Sequence, residues 1–210
     1  MTGIINIETF LLAAMVVITT PGIDTIMVLT RSISKGKKAG LYSSLGVSLG
    51  LIFHTCAVTL GLSLVIAKSA IAFSAIKYIG AAYLIYIGLK SLLSKSEQTE
   101  ITTTEIKING MGKMFLTALL SDVLNPKIAI FFLAFLPQFI KSSEINNPVP
   151  YFLLGLIMFF MTLAWCSFLA IMGSKISTLF NKNKKAEYWL NKTSGIVFIL
   201  LGLKVALVKK

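Results

Sequence analysis

Charged side chains are scarce in this chain of 210 residues. Asp, Glu, Lys and Arg make up 13% of it, whereas hydrophobic residues make up 56%. A soluble domain of ordinary composition carries about 25% charged residues. The mean hydropathy of +0.84 points in the same direction. The composition therefore excludes a typical soluble globular protein and predicts a chain whose main solvent is lipid.

Histidine and cysteine are also rare, with one His and two Cys in the whole chain. The two cysteines are far apart, so no Cys-x-x-Cys spacing of the kind that binds metals occurs. Cys56 and Cys166 each lie in a charge-free apolar run, where a thiol normally behaves as a small hydrophobic group. A redox pair of these two thiols remains an open alternative.

Six apolar runs are long enough to cross a bilayer, because a helix needs about 20 residues to span the hydrocarbon core. Two of the runs contain no charged residue. The first run lacks the basic flank and small-residue cleavage site of a secretory signal, so we expect it to be retained. The runs are Glu8 to Thr30, Leu41 to Ala67, Ser69 to Leu89, Met114 to Ile140, Ile145 to Ser174 and Trp189 to Val208.

Positive charges are distributed unevenly between the two sets of loops. Twelve Lys and Arg residues, with Arg31 among them, lie in the loops after the first, third and fifth runs, and four lie on the other side. By the positive-inside rule the side with twelve charges is cytoplasmic, so both termini are expected outside. The net charge of +12 is scattered through short loops and so does not indicate a nucleic-acid-binding face.

Two prolines interrupt apolar runs at equivalent places in two halves of the chain. Pro21 and Pro126 are 105 residues apart. Proline breaks the helical hydrogen-bond ladder, which a membrane tolerates where the freed backbone lines a cavity. Three helices per half is an odd number, so the second half would be inserted upside down relative to the first.

The sequence thus predicts an all-α integral membrane protein with about six transmembrane helices arranged as two inverted three-helix repeats. Helices 1 and 4 of this arrangement would be broken at Pro21 and Pro126. The predicted halves are residues 1–92 and 114–210, joined by a polar cytoplasmic linker at 93–113. Both halves together would form one membrane domain.

Two carboxylates lie inside the predicted spans. A charge at the centre of a membrane helix costs about 2.5 to 3.5 kcal/mol on insertion scales. Asp24 and Asp122 are therefore expected to bind an ammonium group or carry a proton; the alternative is that each caps the helix segment beside its proline. Lys127 is the deepest basic residue of the fourth run, where it can pair with Asp122 or receive a carboxylate.

The residues beside the prolines can satisfy the backbone groups that the breaks release. Asn125 offers a donor and an acceptor, although Asn-Pro can also be a simple kink. Around Pro21, the Thr20 hydroxyl can bond a freed carbonyl and Gly22 lets a ligand approach the backbone, where half-helix N-termini attract carboxylates. His54 lies in phase with a stripe of glycines, so it faces protein, either as a proton relay or as a hydrogen-bond partner of a neighbouring helix.

Several short motifs follow one another along nearly the whole chain. They are Thr-Pro-Gly-Ile-Asp at 20–24, Gly-Lys-Lys-Ala-Gly-Leu at 36–41, Gly-Ala-Ala-Tyr-Leu-Ile-Tyr-Ile-Gly at 80–88, Asn-Pro-Lys at 125–127 and Leu-Pro-Gln-Phe at 136–139. In this ordered set the chain resembles the LysE/RhtB family of amino-acid exporters. The resemblance implies a small bacterial inner-membrane protein that exports an amino acid at the expense of the proton-motive force, with no bound cofactor. Ile23 stands where the family often has a second proline, so the first break is expected to be less sharp here.

We therefore predict a multi-pass transporter of the cytoplasmic membrane, not an enzyme, that exchanges a small amino acid for protons. Its partners would be the amino acid, protons and the lipid bilayer, with no nucleic acid; homo-oligomer formation is left open. The substrate-binding or proton-coupling residues would be Thr20, Pro21, Gly22, Asp24, His54, Asp122, Asn125, Pro126 and Lys127.

Two other functions remain as alternatives at this stage. A metal-ion exporter could use the oxygen and nitrogen ligands of Asp24, His54, Asp122 and Asn125. A membrane thiol oxidoreductase would use the two cysteines instead.

Overall fold

The computed structural model describes residues 3–62, 70–93, 110–182 and 184–207. Within these ranges the chain is helical apart from short connections and one isolated β-bridge. A π-helical turn at Val58–Leu62 extends the third helix, and 3₁₀ turns lie at Leu136–Phe139 and Ser142–Glu144. The α-helices are α1 Ile7–Thr19, α2 Ile23–Lys35, α3 Lys37–Ala57, α4 Ala70–Leu93, α5 Met111–Val123, α6 Pro126–Phe135, α7 Pro148–Lys182 and α8 Lys184–Leu207.

Length and apolar composition identify the helices of the described ranges that can span a bilayer. Three stretches qualify alone: Lys37–Gly61, Ser74–Leu93 and Pro148–Gly173. The bent pairs α1 with α2 and α5 with α6 bring the number to five when each pair counts as one span. The prediction of an all-helical, multi-pass membrane protein is therefore confirmed. The predicted linker at 93–113 lies outside the described residues over 94–109.

The chain bends sharply at the two places where a proline follows an apolar segment. The axes of α1 and α2 differ by 53° across residues 20–22. Thr20 has extended backbone angles there, and α2 starts after Gly22. The axes of α5 and the segment that starts at Pro126 differ by 48°. Proline fits the first position of a helix, because the N–H that it lacks would have no intrahelical partner there.

Small residues let α3 pack closely against α5. A β-carbon on Gly46 would lie 2.9 Å from the Ala118 side chain, and one on Gly50 would lie 2.4 Å from Asp122 Oδ2. Residue numbers rise together along this contact, so α3 and α5 run parallel. Membrane helices are commonly held by such small-residue faces, because van der Waals contact replaces the hydrophobic effect in lipid.

Two further helix pairs join the first half of the chain to the second, and both run antiparallel. Thr55 of α3 meets Gly155 of α7. At the other end of the same pair, Ser44 Oγ lies 3.1 Å from Ser167 Oγ. In the other pair, three glycines let the backbones of α4 and α8 approach closely. Gly88 meets Gly195, and Gly202 meets Ile85, which lies one turn before Gly88 in α4. The helices of residues 1–92 are therefore packed mainly against helices of residues 114–210.

The N-terminal segment is fixed to the loop that follows α6. Ile4 and Ile140 form an isolated antiparallel bridge. The flanking bonds run from Ile5 N–H to Phe139 O at 2.8 Å and from Lys141 N–H to Gly3 O at 2.9 Å. The N-terminal segment and the loop after α6 therefore lie at the same end of the bundle.

Arg31 was expected in a loop, but the structure places it in a helix. It lies in the third turn of α2 and is only 4% exposed. One guanidinium nitrogen, Nη1, donates to Ser43 Oγ at 3.0 Å and Met114 O at 2.6 Å, and Nη2 donates to Thr117 Oγ1 at 2.8 Å. Arg31 thus joins α2 to α3 and α5. It is therefore a structural cation of the helix bundle.

Candidate functional site: a charged cavity between two broken helices

A cavity of about 300 Å³ lies between the break of α1 and α2 and the break of α5 and α6. Both breaks contribute charged side chains to its lining, and α4 and α7 complete the wall. Ligand pockets for small molecules begin at about this size. The polar lining residues are Thr20, Asp24, Thr25, Tyr83, Tyr86, Lys90, Asp122, Asn125, Lys127 and Thr162.

A hydrogen bond links the two breaks directly. Asn125 Nδ2 donates to Asp24 Oδ2 at 3.0 Å. The other amide atom of Asn125, Oδ1, accepts from Lys127 N–H at 3.0 Å and so caps the N-terminus of α6. One side chain therefore stabilises the second break and positions the carboxylate beside the first. Asp24 Oδ1 is buried and has no partner within the described ranges, which leaves it free to accept from a ligand.

Lys127 makes another contact from the second break to the first. Its Nζ donates to Val17 O at 3.3 Å, near the C-terminal end of α1, and lies 5.3 Å from the centre of the Phe198 ring. A cation at a helix C-terminus interacts favourably with the helix dipole. Its Nζ would also lie 3.9 Å from a β-carbon on Gly22. Lys127 bonds this carbonyl and makes no ion pair with Asp122 among the described residues.

Asp122 is the more deeply buried carboxylate, at 1% exposure. His54 Nε2 lies 3.0 Å from the Asp122 carbonyl oxygen and 4.0 Å from Asp122 Oδ2. Oδ2 itself has no hydrogen-bond partner in the described part of the chain and packs against the backbone of Gly50. His54 therefore holds the C-terminal end of α5 through the backbone of Asp122, while the Asp122 side chain lines the cavity.

Seven of the nine residues that the sequence analysis singled out line this one cavity, and two do not. Pro21 lies in the first break without lining the cavity, and His54 reaches it only through Asp122. The seven lining residues are Thr20, Gly22, Asp24, Asp122, Asn125, Pro126 and Lys127. Their roles in binding and proton coupling remain predictions.

A sequence model of the LysE type translocator family matches residues 15–209. The chain belongs to the LysE type translocator family. This match confirms the resemblance carried by the short motifs and the two proline breaks.

Relatives of this translocator match along almost their whole length. A membrane protein of Bacillus subtilis, called YrhP and described as uncharacterized, is 37% identical over 205 residues, which cover 93% of this chain and 95% of the relative. The leucine efflux protein of Salmonella typhimurium is 28% identical over 204 residues, which cover 97% of this chain and 96% of the relative. The Pseudomonas aeruginosa membrane protein PA4757, also described as uncharacterized, is 28% identical with the same coverage. No solved structure matches this translocator.

Several lining residues of the translocator were missed by sequence reasoning. Tyr83, Tyr86 and Lys90 extend the cavity along α4 toward the end of that helix. Thr162 lines it from α7. The first three share a helical spacing of three to four residues, which is typical of one helix face. Thr162 is a lone hydroxyl in a charge-free span, a signal too common to single out.

The cysteines and the proposed metal ligands do not come together as the alternatives require. Cys166 lines the cavity and is buried, whereas Cys56 is exposed on the outer surface of the bundle, and both are free thiols. In the part of the chain that the structure describes, no group of three His, Cys, Asp or Glu residues is placed to hold a metal ion. The geometry therefore favours neither alternative over a site for a small polar molecule.

Proposed function

We propose that this translocator exports a small neutral amino acid across the cytoplasmic membrane in exchange for protons. The observation that carries the proposal is the presence of Asp24 and Lys127, an anion and a cation, on the wall of one cavity at two helix breaks. An amino acid carries one charge of each sign on its backbone, so such a pair matches it. The name of the Salmonella relative, a leucine efflux protein, agrees with this substrate class.

The binding mode follows from where the free polar atoms lie. The substrate ammonium would meet Asp24 Oδ1, which has no partner among the described residues. The carboxylate would meet Lys127 and the N-terminus of α2 at Gly22, because backbone N–H groups there lack intrahelical acceptors. The side chain would then face the apolar part of the wall, which includes Leu51, Ile87 and Met158.

We further propose that the bundle crosses the membrane six times as two inverted repeats. In that arrangement α3 and the broken α5–α6 helix cross in the same direction, while α3 opposes α7 and α4 opposes α8. The glycine contacts described above have these directions in all three pairs. The bridge between Ile4 and Ile140 also agrees, since six crossings put the N-terminus and the loop after the fourth crossing on one side.

Proton coupling would use the carboxylates, because a buried acid can neutralise its charge by taking up a proton. Asp24 and Asp122 line the same cavity as the substrate would, so occupation by substrate and by proton can exclude each other. If the substrate and the proton occupy this site in turn, the two are exchanged and the proton needs no separate pathway. Movement of the helices around the cavity would expose it in turn to each side of the membrane.

Inverted membrane vesicles provide the decisive experiment. A panel of labelled neutral amino acids would be offered outside the vesicles, with and without an imposed proton gradient. We expect uptake of at least one of them only in vesicles that contain the translocator, and stronger uptake with the gradient. No uptake of any amino acid under a maintained gradient would refute amino-acid export, and equal uptake without the gradient would refute proton coupling alone.

A further inference from the structure

Among the residues that the structure describes, the hydroxyl group of Thr162 has no hydrogen-bond partner, although the residue is only 6% exposed. Several other threonines of the bundle donate their hydroxyl to the carbonyl four residues earlier. Thr20 bonds Val16 O at 2.5 Å, Thr55 bonds Leu51 O at 2.7 Å and Thr117 bonds Lys113 O at 2.8 Å. Thr162 does not form the corresponding bond to Met158. A buried hydroxyl without a partner is unfavourable, because it has lost its hydrogen bonds to water and gained none in the protein.

The surroundings of Thr162 are apolar, and they belong to the cavity. Met158 and Cys166, four residues away on either side, lie on the same face of α7 and line the cavity with it. Val47 and Leu51 of α3 add further apolar lining. The charged groups of the lining come instead from the broken helices and, at Lys90, from α4. Thr162 is thus a polar residue on the α7 part of the wall, which the side chain of a bound amino acid would face.

We infer that Thr162 selects the transported amino acid by the polarity of its side chain. This inference rests on the proposed function and adds a residue that decides specificity. A substrate with a hydroxyl in its side chain gives the Thr162 hydroxyl a partner, whereas an aliphatic side chain of equal size leaves it unpaired. A site that hydrogen-bonds a substrate hydroxyl discriminates against the analogue that lacks it, because a buried polar group is then left unsatisfied.

The test uses valine and threonine as substrates, because they have nearly the same shape and differ by a methyl and a hydroxyl. Each is measured as a substrate, or as an unlabelled competitor of the exported amino acid, in inverted vesicles with equal amounts of the translocator. For Thr162→Val we expect the ratio of apparent KM values, threonine over valine, to rise about tenfold over wild type. Thr162→Ser keeps a hydroxyl and should keep the wild-type ratio.

Thr55→Val is the matched control. It also replaces a buried threonine by its isostere, but the Thr55 hydroxyl bonds Leu51 O and the residue is not part of the cavity wall. We expect this variant to keep the wild-type ratio. If Thr162→Val fails to insert, Thr162→Ala gives the same comparison, because a smaller side chain at this position also removes the hydroxyl.

The two ways of failing can be told apart. A ratio in Thr162→Val equal to that of wild type would overturn the inference while export itself stands. Failure of both valine and threonine to compete with an amino acid that is exported would overturn it as well. If the wild-type protein transports no amino acid from the panel, the proposed function itself is refuted, and the inference that rests on it is refuted too.

Discussion

The amide nitrogen of Asn125 lies 3.0 Å from Asp24 Oδ2, so the residue before the second helix break holds the carboxylate that follows the first. Lys127, from the same second break, donates to Val17 O near the end of α1. The first break is therefore held partly by two side chains of the second half of the chain. A movement that separates the two breaks must give up both contacts, which couples the geometry of the two broken helices.

Replacing the two carboxylates singly tests the coupling site. Asp24→Asn and Asp122→Asn keep the size of the side chain and most of its hydrogen bonding but cannot take up a proton in exchange. We expect at least one of them to lose gradient-driven export while retaining exchange of labelled for unlabelled substrate. Asparagine caps a helix about as well as aspartate, so a purely structural role would leave driven export intact. If both variants, at normal abundance in the membrane, still accumulate substrate, neither carboxylate couples transport to protons.

Gly50 is predicted to be necessary for the contact between α3 and α5. A β-carbon there would lie 2.4 Å from Asp122 Oδ2 and 2.6 Å from Asp122 Cβ. Overpacking of this kind costs about 1–3 kcal/mol. We expect Gly50→Ala to lower the melting temperature of the purified protein in detergent and to reduce transport. Gly61→Ala is the control, because a β-carbon at Gly61 meets no atom within 4 Å. Equal melting temperatures for the two variants would contradict the packing argument.

Arg31 is predicted to stabilise the fold through its guanidinium geometry as well as its charge. A lysine keeps the charge but cannot reach acceptors on three residues with one planar group. Because hydrogen bonds to charged groups contribute about 1.5–3 kcal/mol, Arg31→Lys should lower the free energy of unfolding by about 2 kcal/mol. Lys35→Gln, at an exposed position of the same helix, should change it by less than about 0.5 kcal/mol. Thermal melts in detergent would compare them, and similar losses in both would argue against the Arg31 network.

The side of the membrane that holds the N-terminus can be tested with a disulfide. Ile4 and Ile140 form the non-hydrogen-bonded pair of their bridge, where Cα atoms lie about 4.5 Å apart, within the range that a disulfide spans. In a background with Cys56→Ser and Cys166→Ser, we expect Ile4→Cys with Ile140→Cys to be oxidised in a bacterial host, because the outside is oxidising. Non-reducing mass spectrometry of the purified protein would detect the bond.

Ile5→Cys with Ile140→Cys is the control for that experiment. Successive side chains of an extended segment point to opposite faces, so this pair should remain reduced. Reduced thiols in the Ile4 and Ile140 pair, together with protection from a membrane-impermeant alkylating reagent, would place both segments in the cytoplasm.

The helical membrane architecture and half of the polar cavity lining could be inferred from the sequence because their signals are local. A proline inside an apolar run and a carboxylate near it are rare enough in membrane spans to stand out. Pro126 with Asp122 is such a pair, and both line the cavity together with Asn125 and Lys127.

Arg31 and Thr162 could not be placed by the same reasoning. Arg31 lies near the end of an apolar run, where hydropathy assigns a charge to the loop, and its acceptors come from residues distant in sequence. Thr162 becomes distinctive only because its hydroxyl lacks the usual bond within the helix. Both depend on which helices are neighbours, and the spacing along the chain does not contain that information.

The pairing of the N-terminal segment with the loop after α6 also constrains how the protein is made. The bond from Ile5 to Phe139 joins residues 134 positions apart. At a synthesis rate of roughly 5–20 residues per second, the partner of Ile5 emerges from the ribosome roughly 7 to 27 seconds after Ile5 itself. The N-terminal segment must therefore remain unpaired while the first three helices are inserted. Its attachment is a late step of biogenesis, which takes place only once the second broken helix is in the membrane.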